Sequence, residues 1–508
     1  MSLSRRSFLA GLAALVLAGP ALAGEPAPSR TRAWTWRGGL SGNGRAAAES
    51  SADAAGTVVG APYEFNAIGT AWLRPLAGLR LRASADGLTW GDWTSVTTYE
   101  LHGQTPPPGR PYFGDLVVVP QSRYVQIAAE QSTDDLQVTL IDTLDGPTTP
   151  QLATRQALAT VPVIPRAEWG CDERLRFDDR GSEIWPVQRN PSQKVIVHHT
   201  VTANQEANPA ATVRAVYYYH AVTQGWGDIG YNYLIDWRGN VYEGRYGGPG
   251  VEAGHAYGHN TGSIGIACLG TFTTASITTE ARQSLARLIA SRAPYLDPHD
   301  SGWFVDGDLP NLMGHRDAMQ FRPGQGTECP GDSLYALLPG LRGDVLYNLG
   351  TRPTPSAELF DVRYEGNPAF PGGLMKVHVR VRNTGTATLT SQDPAPGLLY
   401  DEGESYASRA LPGRAGAWRL GLDLVGGSAP SGYPFRWGLP DALEPGQMVE
   451  VIGVVRVGGL GPRAASVRLF REGRSTEIAG PSGRVWVIDP ATLTRRTIAP
   501  LAVARSSP

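Results

Sequence analysis

Lysine is almost missing from this chain: only Lys194 and Lys376 occur among its 45 basic residues, and the rest are arginine. Such a skew suits carboxylate or phosphate recognition, but a genome-wide compositional bias produces the same skew, so it identifies no ligand. The net charge is −2, which removes the polycationic surface expected of a nucleic-acid partner. Cysteine is scarce as well, at three residues, Cys171, Cys268 and Cys329. Beyond the first residues no apolar run is long enough to cross a bilayer.

What is present first sets the compartment. Ser4-Arg5-Arg6-Ser7-Phe8-Leu9 precedes the apolar stretch 10–18 and then Pro20-Ala21-Leu22-Ala23. A basic region, a short apolar core and an A-x-A site predict a signal peptide over 1–23, removed near Ala23. Arg5-Arg6 followed by Phe8-Leu9 resembles the twin-arginine export signal; a general secretory signal holding two arginines is the alternative. The expected localisation is exported: periplasm, cell wall or extracellular. In an oxidising compartment a Cys171–Cys268 bridge is open. Cys268, inside the apolar run 264–269, also reads as a buried small hydrophobe.

At 508 residues the chain needs several cores. Residues 24–60, rich in Ala, Gly and Ser, read as loosely ordered. Short alternating segments at 79–82, 124–127 and 136–140, with the turn signal Asp86-Gly87, predict a jelly-roll-like β-sandwich over 61–145. Trp90 and Trp93, beside that turn, read as core aromatics, or as rings for stacking on sugars. A proline-containing linker follows at 146–162. Residues 163–348 alternate strand and helix, predicting a mixed α/β domain. Lys194 to His198 is a β-branched strand. Asn208-Pro209 opens a helix with Val213, Val216, Tyr217 and His220 on one face, and Gly225 ends it. A helix over 279–292 buries Leu285, Leu288 and Ile289. After a second linker at 349–356, a strand with Val377, Val379 and Val381 on one face and strands at 449–457, 467–470 and 485–488 predict an immunoglobulin-like β-sandwich over 357–490, then a tail at 491–508. The expected architecture is a central α/β domain flanked by two all-β sandwiches.

Three pieces carry chemistry: Val195-Ile196-Val197-His198-His199-Thr200, Gly314-His315-Arg316-Asp317 and Thr327-Glu328-Cys329-Pro330-Gly331. Two imidazoles and one thiolate are a three-ligand set suited to a single zinc ion, with a fourth position left for water. A histidine at a strand end is rigidly aimed, and ligands on two loops must converge on it.

These blocks and their neighbours resemble the zinc-dependent N-acetylmuramoyl-L-alanine amidases of the peptidoglycan recognition protein type, related to phage lysozyme amidases. The matching blocks include Ile164-Pro165-Arg166-Ala167-Glu168-Trp169-Gly170, Gly225-Trp226-Gly227-Asp228-Ile229-Gly230-Tyr231-Asn232-Tyr233 and Gly239-Asn240-Val241-Tyr242-Glu243-Gly244-Arg245, then residues 260–270. So many blocks in one order are far more specific than any one of them. The resemblance implies that His198, His315 and Cys329 are the metal ligands and that His199 faces the opposite way. It implies hydrolysis of the amide between N-acetylmuramate and L-alanine in peptidoglycan, by attack of zinc-bound water. It gives Tyr231 a hydrogen bond to that water or the developing oxyanion; a packed strand aromatic is the alternative. Thr327 stands where phage relatives carry lysine, which leaves its share open. His255, His259 and Asn260 border the expected groove, as contacts to glycan or stem peptide or as loop-stabilising groups. Arg245 reads as a substrate contact or half of a buried ion pair, and His220 as a core histidine. Animal members often continue with Gly-Trp-Asn-Trp, where this chain has Arg245-Tyr246-Gly247-Gly248-Pro249, so the third stem residue is not implied.

An exported amidase competes with a peptidoglycan-binding module that does not cleave, and with a surface structural protein. Cys329 and Tyr231, both present, favour catalysis.

Overall fold

Val195, Ile196 and Val197 are β-branched and apolar. In a computed structural model of the chain they form the strand Lys194–His199, buried along its whole length. The structure describes residues 31–42, 56–98, 111–148, 161–322, 326–411, 413–430 and 432–493. The expected signal at 1–23, with Arg5-Arg6, lies outside these residues, as do most of the linker 146–162 and most of the tail 491–508. Among the described residues no helix is long and apolar enough to cross a membrane.

Lys194–His199 lies inside a six-stranded sheet. Its order is Leu312–Gly314, Lys194–His199, Ser263–Cys268, Tyr233–Ile235, Val241–Glu243, Val163–Ile164. Every pairing is parallel except that of Tyr233–Ile235 with Val241–Glu243. Because both faces of this sheet are covered, its strands are apolar runs rather than alternating ones. One face packs on helices α2 (Thr279–Arg292) and α4 (Asp332–Leu349) through Val195, Val197, Leu285, Leu288 and Leu341. Thr278 caps α2, its hydroxyl accepting from Ala281 N at 3.2 Å. The other face meets helix α1 (Pro209–Tyr218) through Leu234, Tyr242, Ala267, Val213 and Tyr217. Helix α1 runs into a π-helical turn, Tyr219–Thr223, and Gly225, at φ 74°, ends it in the left-handed region that glycine tolerates.

The N-terminal part departs from the expected sandwich. It is one seven-stranded sheet, in the order Arg32–Leu40, Thr133–Asp142, Thr57–Trp72, Val117–Ala128, Arg80–Ser84, Thr94–Ser95, with Tyr112–Phe113 paired to Thr57–Trp72. Residues 32–40, expected to be loose, are a full strand, because Trp34 and Trp36 pack on the sheet's core and the backbone pairs with Thr133–Asp142. The strands of this one sheet enclose a core of their own, and α1 packs against the other side of Thr57–Trp72. Phe65, Ile68 and Trp72 face the sheet's own core, while Ala67 and Ala71 face the cluster containing α1. Arg214 of α1 donates to Thr143 O at 3.0 and 2.7 Å, to Pro147 O at 2.9 Å and to Trp169 O at 2.7 Å.

The C-terminal part holds two four-stranded sheets. One is ordered Ala357–Glu365, Leu374–Asn383, Met448–Arg456, Leu399–Asp401; the other Phe435–Gly438, Trp418–Val425, Gly461–Arg471, Glu477–Val487. Inward residues of both, among them Val377, Val379, Val381, Leu420, Trp437 and Leu469, share one core. Trp303 N donates to Ala415 O at 2.7 Å and Arg471 pairs with Asp300 at 2.7 Å, which ties this part to the hairpin Ser301–Phe304/Gly307–Pro310 of the α/β domain.

Candidate metal centre

His198 stands one residue before the C-terminal end of its strand, opposite Ala267. His315 opens helix α3 (His315–Met319) directly after Leu312–Gly314, the neighbouring strand, so two adjacent strand ends deliver two imidazoles to one place. Gly314 N donates to Asp317 at 2.9 Å, fixing the start of α3. A side chain at Gly314 would meet Pro330 at 2.8 Å, so the loop bearing Cys329 lies directly against it. Arg316 N donates to Cys329 O at 2.9 Å, and the Arg316 guanidinium binds Asp332 at 2.7 Å and also Glu328 O. The second and third sequence blocks therefore interlock.

One ligand atom from each of His198, His315 and Cys329 lies within 4.8 Å of the others. Cys329 Sγ is 3.6 Å from His198 Nδ1. Donor atoms on a tetrahedral zinc, bonded at about 2.0–2.3 Å, stand about 3.3–3.8 Å apart. This donor set could therefore hold a metal ion, and its sulfur and nitrogen atoms suit zinc. His199 points to the opposite face, as alternation requires. Its Nδ1 accepts from Phe272 N at 3.3 Å, and burial, with Arg316 nearby, pushes its pKa down to about 4.

Tyr231 lies beside these donors, its ring centroid 5.4 Å from that of His198. His220 supports it from below. That imidazole is buried, 5.6 Å from the Tyr231 ring, and its Nδ1 accepts from Gly230 N at 3.1 Å. Asp228 holds the same segment by accepting from Ile229 N at 2.7 Å and from Tyr246 N at 3.0 Å. It also pairs with Arg166 at 3.0 Å and Arg245 at 2.7 Å. Three of the sequence blocks thus meet at one buried carboxylate. The charge of Asp228 was visible in the sequence, but no spacing marked it as their junction.

The remaining candidate residues have internal partners. Arg245 is 1 % exposed and also donates to Trp185 O at 2.6 Å, so it is the buried ion pair and not a surface contact. His259 is fully buried and bound to Asp306 at 2.9 Å. The Asn260 side-chain Oδ1 accepts from His255 N at 3.0 Å and Ala256 N at 2.7 Å, closing the loop. His255 is buried, with Nδ1 3.0 Å from His198 Nε2, so its ring faces His198 rather than the surface. The Thr327 hydroxyl accepts from Cys329 N at 3.0 Å and shapes the cysteine loop. Trp90 and Trp93 are half-buried outside the cores; Trp93 lies over Arg80 and Arg82 at 4.8 and 4.7 Å. Cys171 and Cys268 are free thiols in separate cores, and burial pushes Cys268 up to about 12.

Residues 188–332 match the family model described as N-acetylmuramoyl-L-alanine amidase. The chain is 33% identical over 183 residues to "Peptidoglycan-recognition protein SC2" of Drosophila melanogaster, covering 35% of this chain and 86% of that one. It is 33% identical over 192 residues to "N-acetylmuramoyl-L-alanine amidase" of Homo sapiens, covering 36% of this chain and 29% of that protein. Among solved structures it is similar to "Drosophila PGRP-LB wild-type", at 29% identity over 35% of this chain and 92% of that one, with a TM-score of 0.27. Through residues 188–332 and the relatives that share them, the chain belongs to the N-acetylmuramoyl-L-alanine amidase and peptidoglycan recognition protein family.

Proposed function

We propose that this chain is an exported zinc amidase that hydrolyses the amide joining N-acetylmuramate to the L-alanine of the stem peptide in peptidoglycan. The observation that carries the proposal is the convergence of His198, His315 and Cys329 within 4.8 Å, with the Tyr231 ring against His198. Zinc bound there, with one thiolate ligand, would lower the pKa of a bound water and polarise a carbonyl oxygen. His198, His315 and Cys329 would hold it.

Tyr231 donates its hydroxyl hydrogen to the oxyanion that develops on the scissile carbonyl, where a preorganised donor acts most strongly. Its ring needs no reorientation during the reaction, because His220 and Asp228 hold the backbone on its N-terminal side. Thr327 keeps Cys329 in place through the cysteine N–H, an indirect part in catalysis. The flanking β regions stay with the catalytic unit, the N-terminal sheet through α1 and the C-terminal sheets through the hairpin at 301–310.

Removing metal from the purified protein with a chelator and restoring it tests the proposal. Release of stem peptides from purified muropeptides should stop on chelation and return when zinc is added at one equivalent. Muropeptide binding with no release in the zinc-loaded protein would contradict it and assign the chain to recognition alone.

A further inference from the structure

We propose that His255 is a positioning residue of the metal centre, selecting the ring nitrogen through which His198 binds metal. This rests on the metal site proposed above. Ser263 is buried at the beginning of strand Ser263–Cys268. The Ser263 hydroxyl hydrogen is taken up by backbone carbonyls, with His259 O at 2.5 Å and Asn260 O at 3.0 Å. Its oxygen, 3.3 Å from His255 Nε2, therefore acts as acceptor to that ring. A neutral imidazole that donates through Nε2 has a bare Nδ1. The His255 Nδ1 faces His198 Nε2 at 3.0 Å, so His198 carries its hydrogen on Nε2. Its Nδ1, the atom 3.6 Å from Cys329 Sγ, is then the unprotonated ring nitrogen, the one that can bind metal.

Ser263, His255 and His198 thus form a chain in which each hydrogen bond determines the next tautomer, ending on the ligand atom. Metal-bound histidines are ordinarily held this way by a carboxylate or a carbonyl; here another imidazole takes that place. The rest of the fold is arranged around the ring. Asn260 accepts from the backbone N–H of His255 and Ala256. A Cβ at Gly265 would stand 2.2 Å from the His255 ring, so only glycine leaves room for it on the sheet.

The test is zinc affinity, measured by competition with a chromophoric chelator on the full chain. His255→Leu should bind zinc about 10–100-fold more weakly, while His255→Asn, whose Oδ1 can still accept from His198, should recover most of the affinity. Melting temperatures of the metal-free proteins separate this from general damage, because metal-free variants should melt close to wild type. Should His255→Leu fail to fold, Ser263→Ala decides: it leaves both rings in place and should weaken zinc binding several-fold. Zinc held by His255→Leu, or in its absence by Ser263→Ala, as tightly as by wild type would overturn the proposal. A wild-type protein that binds zinc without releasing stem peptides would overturn the amidase function and leave the result at His255 standing.

Discussion

Arg245 and Asp228 form an ion pair at 2.7 Å in which each side chain is 1 % exposed. Breaking such a pair from one side strands a charge where water cannot reach it, which costs about 3–5 kcal/mol. Asp228→Asn should lower stability by that amount, as measured by urea unfolding. Turnover should fall too, because the single side-chain oxygen of Asn cannot accept from both Ile229 N and Tyr246 N, which loosens the segment beside Tyr231. A loss below about 1 kcal/mol would place the pair among weak surface bridges instead.

His220 gives the fold an acid limit. Burial lowers its pKa from 6.5 to about 3, and its Nδ1 can accept from Gly230 N only while unprotonated. The folded pKa lies below the unfolded one. Its contribution is therefore complete above pH 6.5 and is lost as pH falls from there toward about 3. In that window it accounts for a slope of about 1.4 kcal/mol per pH unit. His220→Asn keeps an acceptor for Gly230 without the titration. Its stability profile should be flatter over this range by about one proton, and an unchanged slope would remove His220 as the cause.

Tyr231 should act on turnover and not on metal. In Tyr231→Phe the ring remains against His198 while the donor is lost, so kcat should drop by about 10²–10³ with zinc affinity unchanged. Turnover equal to wild type would leave Tyr231 as a packing residue.

Arg214 joins the N-terminal part to the α/β domain, donating three hydrogen bonds to Thr143 O and Pro147 O and a fourth to Trp169 O within its own domain. Arg214→Ala leaves those buried acceptors unsatisfied and should cost about 3 kcal/mol or more. Limited proteolysis should then cut between the N-terminal sheet and α1. Wild-type resistance in the variant would show that the junction holds without the Arg214 hydrogen bonds.

The three donors that the structure brings together were legible because each sits in a distinctive block, and the resemblance singled out His198 while alternation turned His199 away. The bracing of His198 was not. An imidazole 57 residues away leaves no periodic trace, and its ring position depends on a glycine in the adjacent strand. Arg245 illustrates a second limit, since arginine is mostly exposed and is buried only when paired, and its partner Asp228 lies in another block. Trp90 and Trp93 failed for a third reason. Alternation puts Arg80 and Arg82 on the outer face of their strand, and the loop folds its indoles onto those guanidiniums rather than into the core. The strand at 32–40 was hidden by the Ala- and Gly-rich residues that follow it, and the single N-terminal sheet by the fact that alternation within each strand does not show whether two layers belong to one continuous sheet or to two.

The central claim is the bond that is cut. Mass spectrometry of the new ends produced when the wild-type protein digests intact peptidoglycan addresses it directly. The account predicts free stem peptides beginning with an unblocked L-alanine and glycan strands retaining whole N-acetylmuramate, with neither formed by Cys329→Ala. Products cut within the glycan or within the peptide, or no products at all from the zinc-loaded protein, would contradict it.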